Sequence, residues 1–70
     1  MSALQDRLLA AHAAQDRRAL VGLYTEAADS ATDLDAACFF LTHAYVFALE
    51  LGDPRAHALH ARLKAEGREA

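Results

Sequence analysis

The feature that most constrains this 70-residue chain is one stretch, residues 33–51, whose apolar side chains surround more than half of a predicted helix. The apolar arc consists of Phe40, Leu41, Ala44, Tyr45, Phe47, Ala48, Leu49 and Leu51. On a helical wheel these residues cover about 200°, whereas an ordinary surface helix has an apolar stripe of about 100°. Such an arc needs neighbours on more than one side. The pattern therefore predicts that this helix is the centre of the protein and that other helices wrap it.

Three further helices are predicted where apolar residues recur at helical spacing, over residues 3–14, 17–30 and 54–66. The predicted inward faces are Leu4, Leu8 and Ala11, then Leu20, Val21, Leu23, Tyr24, Ala27 and Ala28, and finally Ala56, Leu59 and Leu63. Many alanines, with three glycines and one proline, favour helix over strand. The chain is predicted to be one all-α domain of four helices, arranged as two antiparallel hairpins over residues 3–30 and 33–66.

Residues that begin and end helices separate these segments. Asp16 is a good N-cap for the second helix, and Thr32 followed by Asp35 has the spacing of a capping box before the third. Gly52 is expected to end the third helix, and Asp53 to cap a fourth that starts at the only proline. Gly22 lies within the second helix, where glycine costs about 1 kcal/mol relative to alanine. A close helix crossing is expected there.

Composition and charge argue against several functions. The formal net charge is −3 with acids and bases interspersed, so no basic face is available to bind nucleic acid.

Polar residues interrupt the N-terminal segment, which argues against a signal peptide. No uninterrupted apolar run is longer than the six residues of 44–49, far fewer than the roughly 18 residues of a membrane span. Cys38 is the only cysteine, which excludes an internal disulfide and suits a reducing cytoplasm. We expect a cytoplasmic protein that binds neither nucleic acid nor membrane.

Catalytic and metal chemistry find little support in the sequence. His57 and His60 are three residues apart on one helix, but zinc needs three or four ligands, so Cys38 or His43 would have to come from another helix. Cys38 and His43 are separated by about 140° around their helix, which prevents a nucleophilic dyad within the chain. We therefore expect no enzyme and no cofactor. A small metal- or ligand-binding bundle is a less favoured class, which a rise in melting temperature with zinc would reveal.

The two halves of the chain show an internal repeat with an offset of 37 residues. Asp16-Arg17-Arg18-Ala19 and Asp53-Pro54-Arg55-Ala56 each open the second helix of a hairpin. The same offset places Leu8 opposite Tyr45 and Ala11 opposite Ala48. A fixed period of this length is typical of stacked helix pairs.

Residues 41–56, Leu-Thr-His-Ala-Tyr-Val-Phe-Ala-Leu-Glu-Leu-Gly-Asp-Pro-Arg-Ala, resemble a tetratricopeptide repeat. They contain the leucine, small residue and tyrosine of a first helix, then a Gly-Asp turn and the alanine that packs under the second helix. The first half is degenerate, with Leu4, Gln5 and Leu8 at the equivalent positions. The chain departs from the family pattern because it lacks tryptophan and a closing proline. The resemblance implies a right-handed stack with a concave groove, and a compact four-helix bundle is the alternative.

A groove of this kind would be lined by the first helix of each hairpin. The resemblance implies that it displays Asp6, Leu9, Ala10, Phe39, His43, Val46 and Phe47. The helical wheel independently places Phe39, His43 and Val46 on the least buried stripe of the third helix, with His43 facing away from the core. The alternative interpretation is that Phe39 and Val46 complete the core of a tight bundle.

A second candidate surface lies on the fourth helix. Ala58, Ala61 and Ala65 form a stripe of small residues flanked by Arg62, which would allow a second copy of the chain to approach closely. We therefore expect a non-enzymatic protein-interaction module that binds a peptide or helix of a partner. The alternative is a structural homodimer that packs through the third helix or through this alanine stripe.

Overall fold

Capping residues divide residues 3–68, the part of the chain described by the computed structural model, into four helices. These are α1 (Ala3–Ala14), α2 (Arg17–Ser30), α3 (Leu34–Leu51) and α4 (Arg55–Ala65). No strand occurs between residues 3 and 68. α1 packs on α2, α2 on α3 and α3 on α4. The predicted all-α fold of two hairpins is confirmed, and each predicted helix boundary lies within one residue of the observed one.

Local hydrogen bonds explain most of these boundaries. The Oδ1 atom of Asp16 accepts a hydrogen bond from the Ala19 N–H at 3.1 Å, which is the predicted N-cap. Gly52 has φ +65°, in the left-handed region that favours glycine, and ends α3 as predicted. The predicted capping box at Thr32 is wrong. The N-cap of α3 is the next residue, Asp33, whose Oδ1 accepts from the Ala36 N–H at 2.8 Å.

The four helices pack against one another in chain order. Backbones are close only between consecutive helices, but side chains join alternate ones. His12 of α1 contacts Phe47 of α3, with ring centroids 6.2 Å apart, and Arg62 of α4 donates to Asp29 of α2 at 2.7 Å. The molecule is accordingly flat, 31 × 29 × 12 Å.

The core consists of two clusters built largely from small side chains. The larger joins α2, α3 and α4 and contains Val21, Ala28, Cys38, Leu41, Ala44, Ala48, Leu59 and Leu63. The smaller joins α1 to α2 and contains Ala11, Leu20 and Leu23. The predicted inward faces of α1, α2 and α4 are therefore confirmed, with Leu4, Leu8, Tyr24 and Ala56 partly buried against them. Alanine supplies five of the twelve buried apolar residues, so most of the large rings are left near the surface.

α3 is less enclosed than predicted. It contacts all three other helices, but they gather around one side and leave the opposite side open. Leu49 and Leu51, which the wheel placed inside the covered arc, are exposed. The prediction failed because a wheel gives the direction of a side chain and not whether a neighbouring helix reaches that direction.

Within the described residues, α3 is long and apolar enough to cross a membrane, and the expectation of no membrane contact stays a prediction. By length and composition alone the helix qualifies, with 18 residues, a mean hydropathy of 1.4 and 22% of that window buried in the fold. The sequence argument counted uninterrupted apolar runs, whereas the two acids of this helix lie near its ends. The core helix of a soluble protein passes the same test, so the property places no membrane around this chain.

Gly22 does not mark a close helix crossing, contrary to the prediction. It is exposed, and a Cβ atom added there would meet the Nη1 atom of Arg55 at 3.5 Å, an ordinary van der Waals distance. The neighbour at this point is therefore a flexible side chain and not another backbone.

The turn between α3 and α4 is joined to the turn between α1 and α2. Asp53 accepts from the Arg55 backbone N–H at 2.8 Å, and its two carboxylate oxygens accept from Nε (3.0 Å) and Nη2 (2.7 Å) of the same residue. These hydrogen bonds lower the pKa of Asp53 from 3.8 to about 2. Nη2 of Arg55 also donates to the Arg18 carbonyl at 3.2 Å. One guanidinium thus connects equivalent positions of the two hairpins.

Candidate docking surface

The open side of α3 carries an apolar strip with heptad spacing. The α3 strip is defined by Phe39, Thr42, Val46 and Leu49, at positions i, i+3, i+7 and i+10. Phe39 is 59% exposed, Val46 45% and Leu49 55%. The Thr42 hydroxyl donates to the Cys38 carbonyl of its own helix at 2.8 Å, so it needs no partner from outside. The strip can therefore be covered by another apolar surface without leaving this hydroxyl unpaired.

Paired charges border the α3 strip at both ends. Near its N-terminal end, Asp35 accepts a hydrogen bond from Nη2 of Arg68 at 2.6 Å. Near its C-terminal end, Glu50 lies 3.5 Å from Nε of Arg17 on α2. An apolar centre with a polar, charge-compensated border is the usual anatomy of a protein interface.

A group of rings fills the space between α1 and α3 beside the strip. The Tyr24 cluster is defined by His12, Tyr24, Phe40, His43 and Phe47. The Tyr24 ring lies 5.0 Å from the ring of His43 and 6.0 Å from that of Phe47, both stacked on it. His12 meets it edge-on at 5.8 Å. Tyr24 therefore connects α1 to α3. We call the gap between these two helices the groove; Leu4, Leu8 and Phe40 line a hollow in it.

Hydrogen bonds fix both histidines of this cluster. Nε2 of His12 is hydrogen-bonded to the Tyr24 hydroxyl at 2.8 Å. Nδ1 of His43 donates to the Phe39 carbonyl at 3.0 Å, and because a carbonyl only accepts, this nitrogen carries a hydrogen. The His43 ring is 4.5 Å from the Phe39 ring and so joins the α3 strip to the Tyr24 cluster. Ring contacts of His43 with Phe39 on one side and Tyr24 on the other thus connect the α3 strip to the rings beside it.

Two shallow hollows flank His43. One, of about 460 Å³, lies on the N-terminal side and is lined by Asp35, Cys38, Phe39, Thr42, His43 and Arg68. The other, of about 200 Å³, is lined by Thr42, His43, Val46 and Phe47. The two hollows share Thr42 and His43, follow one another along α3, and could receive side chains of a helix or peptide laid along the strip.

The structure places the predicted α3 residues on this surface, with one correction. Phe39 and Val46 are exposed, so they do not complete the core. Phe47 is half-buried in the Tyr24 cluster. His43 does not face away from the core as predicted; it is half-buried and stacked on Tyr24. The wheel misplaced it because α1 and α2 together approach that side of α3.

The predicted α1 residues lie only partly on the same surface. Asp6, Leu9 and Ala10 are all exposed. The side chains of α1 that meet α3 are others: His12 contacts Phe47, and Leu4, Gln5 and Leu8 share a hollow with Phe40. Around α1, Leu9 is about 60° from His12, Asp6 about 120° and Ala10 about 160°. Leu9 thus lies at the edge of the groove, and Asp6 and Ala10 lie on the outer face of α1.

The candidate residues of α4 are all exposed. Ala58, Ala61 and Ala65 form the predicted outward stripe, but Arg62 is engaged by Asp29 of α2 within the fold. His60 stacks on Tyr45 with ring centroids 5.5 Å apart. In the described part of the chain, no three His, Cys, Asp or Glu side chains gather where they could hold a metal ion.

The sequence reasoning missed the central role of Tyr24 and the contribution of His12. The apolar pattern predicts Tyr24 only as a member of the inward stripe of α2, and it predicts no contact for His12. Periodicity places each of them on a side of its own helix. It contains no signal for a contact that depends on how three helices are spaced.

Comparisons of the chain with family models, curated proteins and solved structures find no match. The resemblance to tetratricopeptide repeats stays a prediction.

Proposed function

We propose that this chain is a non-enzymatic protein-interaction module, which holds an apolar helix or peptide of a protein partner against the α3 strip and the groove beside it. The observation that carries the proposal is the exposure of three large apolar side chains on one stripe, Phe39, Val46 and Leu49. Exposed apolar residues scattered singly need no explanation, but a contiguous patch with a polar border is typical of an interaction site.

The energy available on this strip is consistent with a modest affinity. Full burial of a Val, Leu or Phe side chain contributes about 1.5–3 kcal/mol. Phe39, Val46 and Leu49 still expose about half of their surface, so covering all three would contribute roughly 2–5 kcal/mol. The cost of association offsets much of this sum, so contacts in the groove must add to it.

The spacing of the strip favours a helix as the bound element. Apolar residues at i, i+3, i+7 and i+10 form the seam along which two helices pack in coiled coils. An extended peptide would use alternate side chains about 7 Å apart and would not match this seam. The proposed partner therefore presents an amphipathic helix to α3.

The test compares what the folded chain captures with and without the strip. Immobilised wild-type protein is incubated with native lysate beside Phe39→Asp, Val46→Asp and the control Ala61→Asp, which changes an exposed residue of α4. Circular dichroism establishes that each variant is folded. We expect proteins retained by the wild type and by Ala61→Asp to be lost with both strip variants. A partner protein captured equally by all four chains would overturn the proposal, as would unfolding of both strip variants, because these side chains would then belong to the core.

A further inference from the structure

We infer that the helix bound by the α3 strip is α3 of a second copy of this chain, packed antiparallel about a two-fold axis. The inference rests on the proposed function and names the partner. A second copy fits the strip because the strip is complementary to itself, in its side chains and in the opposite signs of the helix dipole at its two ends.

The apolar side chains of the strip pair with one another when α3 is reversed. Phe39 and Val46 occupy the first apolar position of the heptad, and Thr42 and Leu49 occupy the second. In an antiparallel helix pair, the first position of one helix packs against the second position of the other. Phe39 then lies opposite Leu49 of the second copy, and Val46 lies opposite Thr42 of the second copy. A two-fold axis repeats both contacts, so four consecutive layers are filled by the four residues of the strip.

The ends of α3 favour this orientation over the parallel one. The positive end of its helix dipole, capped by Asp33, would lie beside the negative end of the other helix at Gly52. A parallel pair would instead place the equal ends of the two helix dipoles side by side. In the antiparallel pair Asp35 lies near the Asp53–Arg55 ion pair, whose charges compensate each other.

The size of the surface determines how much of the molecule must take part. α3 has 18 residues and is about 27 Å long, so a face about 10 Å wide offers only about 270 Å² per copy. A specific interface needs about 1,000 Å² in total. Adding the side of α1 that borders the groove, with 12 residues and about 180 Å², brings the pair to about 900 Å² of flat projection, which is close to that area. The interface therefore includes α1, where Leu9 is 59% exposed.

The small core gives a second reason for association. Five alanines and one cysteine make up half of the twelve buried apolar residues. Domains of this length commonly rely on a partner chain for stability. Covering the strip would bury apolar surface that the chain cannot cover by itself.

Sedimentation equilibrium at several protein concentrations tests the inference. We expect the wild type to associate to a dimer as concentration rises. Phe39→Asp should raise the dissociation constant at least about 100-fold, because two copies of the residue are lost per dimer. Leu49→Asp should act in the same way, and Ala61→Asp should leave the constant unchanged. A wild type that stays monomeric at every concentration would overturn the inference, as would dissociation by Ala61→Asp alone.

Disulfide trapping tests the orientation. In a Cys38→Ala background, Phe39→Cys and Leu49→Cys chains are mixed in a glutathione redox buffer. The antiparallel pair predicts a disulfide between the two different chains and little within either chain's own dimer. Preferential Phe39→Cys dimers linked to themselves would indicate a parallel pair and overturn the model.

The two proposals fail in different ways. If the wild type is monomeric but Phe39→Asp still loses a protein captured from lysate, the second copy is wrong and the interaction module stands. If the folded Phe39→Asp variant changes neither capture nor association, both are wrong.

Discussion

Arg55 and Asp53 show how much one pair of side chains can organise in a small chain. Arg55 makes its bidentate contact with Asp53 in one turn and donates to the Arg18 carbonyl in the other. Arg18 and Arg55 are 37 residues apart, which is the offset of the internal repeat. The similarity of the two turns therefore coincides with a direct contact between them.

This contact predicts that stability falls in acid. Arg55 holds the pKa of folded Asp53 at about 2, below its ordinary value of 3.8. The stabilisation is thus fully present above the unfolded pKa and is lost as pH falls from about 4 through 2. We expect the melting temperature of the wild type to drop over this window more than that of Asp53→Asn, followed by circular dichroism. Arg55→Gln should flatten the dependence in the same way, and an unchanged slope in both variants would exclude the pair as its source.

Gly22 and Gly52 should respond to alanine in opposite ways, because the backbone at Gly52 requires glycine and the backbone at Gly22 does not. Gly22→Ala adds a methyl group at an ordinary contact distance from Arg55 and improves helix propensity, so we expect about 0.5–1 kcal/mol of stabilisation. Gly52→Ala places a side chain at φ +65° and should cost about 1–2 kcal/mol. Urea unfolding measures both. Destabilisation by Gly22→Ala would show that the contact with Arg55 is tighter than the structure indicates.

Single residues also show where sequence reasoning reached its limit. Asp16 and Gly52 were predicted correctly because capping depends on backbone atoms a few residues away. Tyr24 could not be predicted as a centre, since its ring partners come from α1 and α3. The apolar pattern of the sequence gives the direction of a side chain around its own helix. Which residues it meets there depends on how the helices pack.

At the scale of helices, the boundary of α3 illustrates the same limit over a shorter distance. Thr32 and Asp33 are adjacent residues that both cap helices well, and the sequence gives no spacing that separates them. The structure assigns the role to Asp33 and starts α3 at Leu34.

The cap assignment predicts unequal effects of two neighbouring substitutions. Asp33→Ala removes the acceptor of the Ala36 N–H and should cost about 1 kcal/mol of folding free energy. Thr32→Ala should change it by less than about 0.5 kcal/mol, as an exposed site outside the cap. Urea unfolding of the two variants distinguishes them. The reverse order would restore the capping box at Thr32.

At the scale of the whole molecule, the arrangement of the helices around α3 differs from what its apolar arc suggested, because they lie on one side of it. α1 contacts the rest of the fold mainly through α2, in the smaller cluster of Ala11, Leu20 and Leu23. The larger cluster joins the other three helices. The positions of the four helices were predictable because apolar residues recur at helical spacing along the chain. The division of the core into two unequal clusters was not, because it arises from the packing order, in which α1 and α4 lie at opposite ends.

This division predicts that the two clusters open separately. Leu20 and Leu63 are both buried, and truncating either to alanine should cost about 2–4 kcal/mol locally. Leu20→Ala should release α1 first, so its amides exchange hydrogen at least about tenfold faster while those of Leu41 and Ala44 keep their protection. Leu63→Ala removes a side chain from the cluster shared by three helices and should lower protection in α2, α3 and α4 together. Native-state hydrogen exchange read residue by residue separates the two patterns. Equal loss in all four helices with Leu20→Ala would mean that the core is a single cooperative unit and that α1 is as central to it as α3.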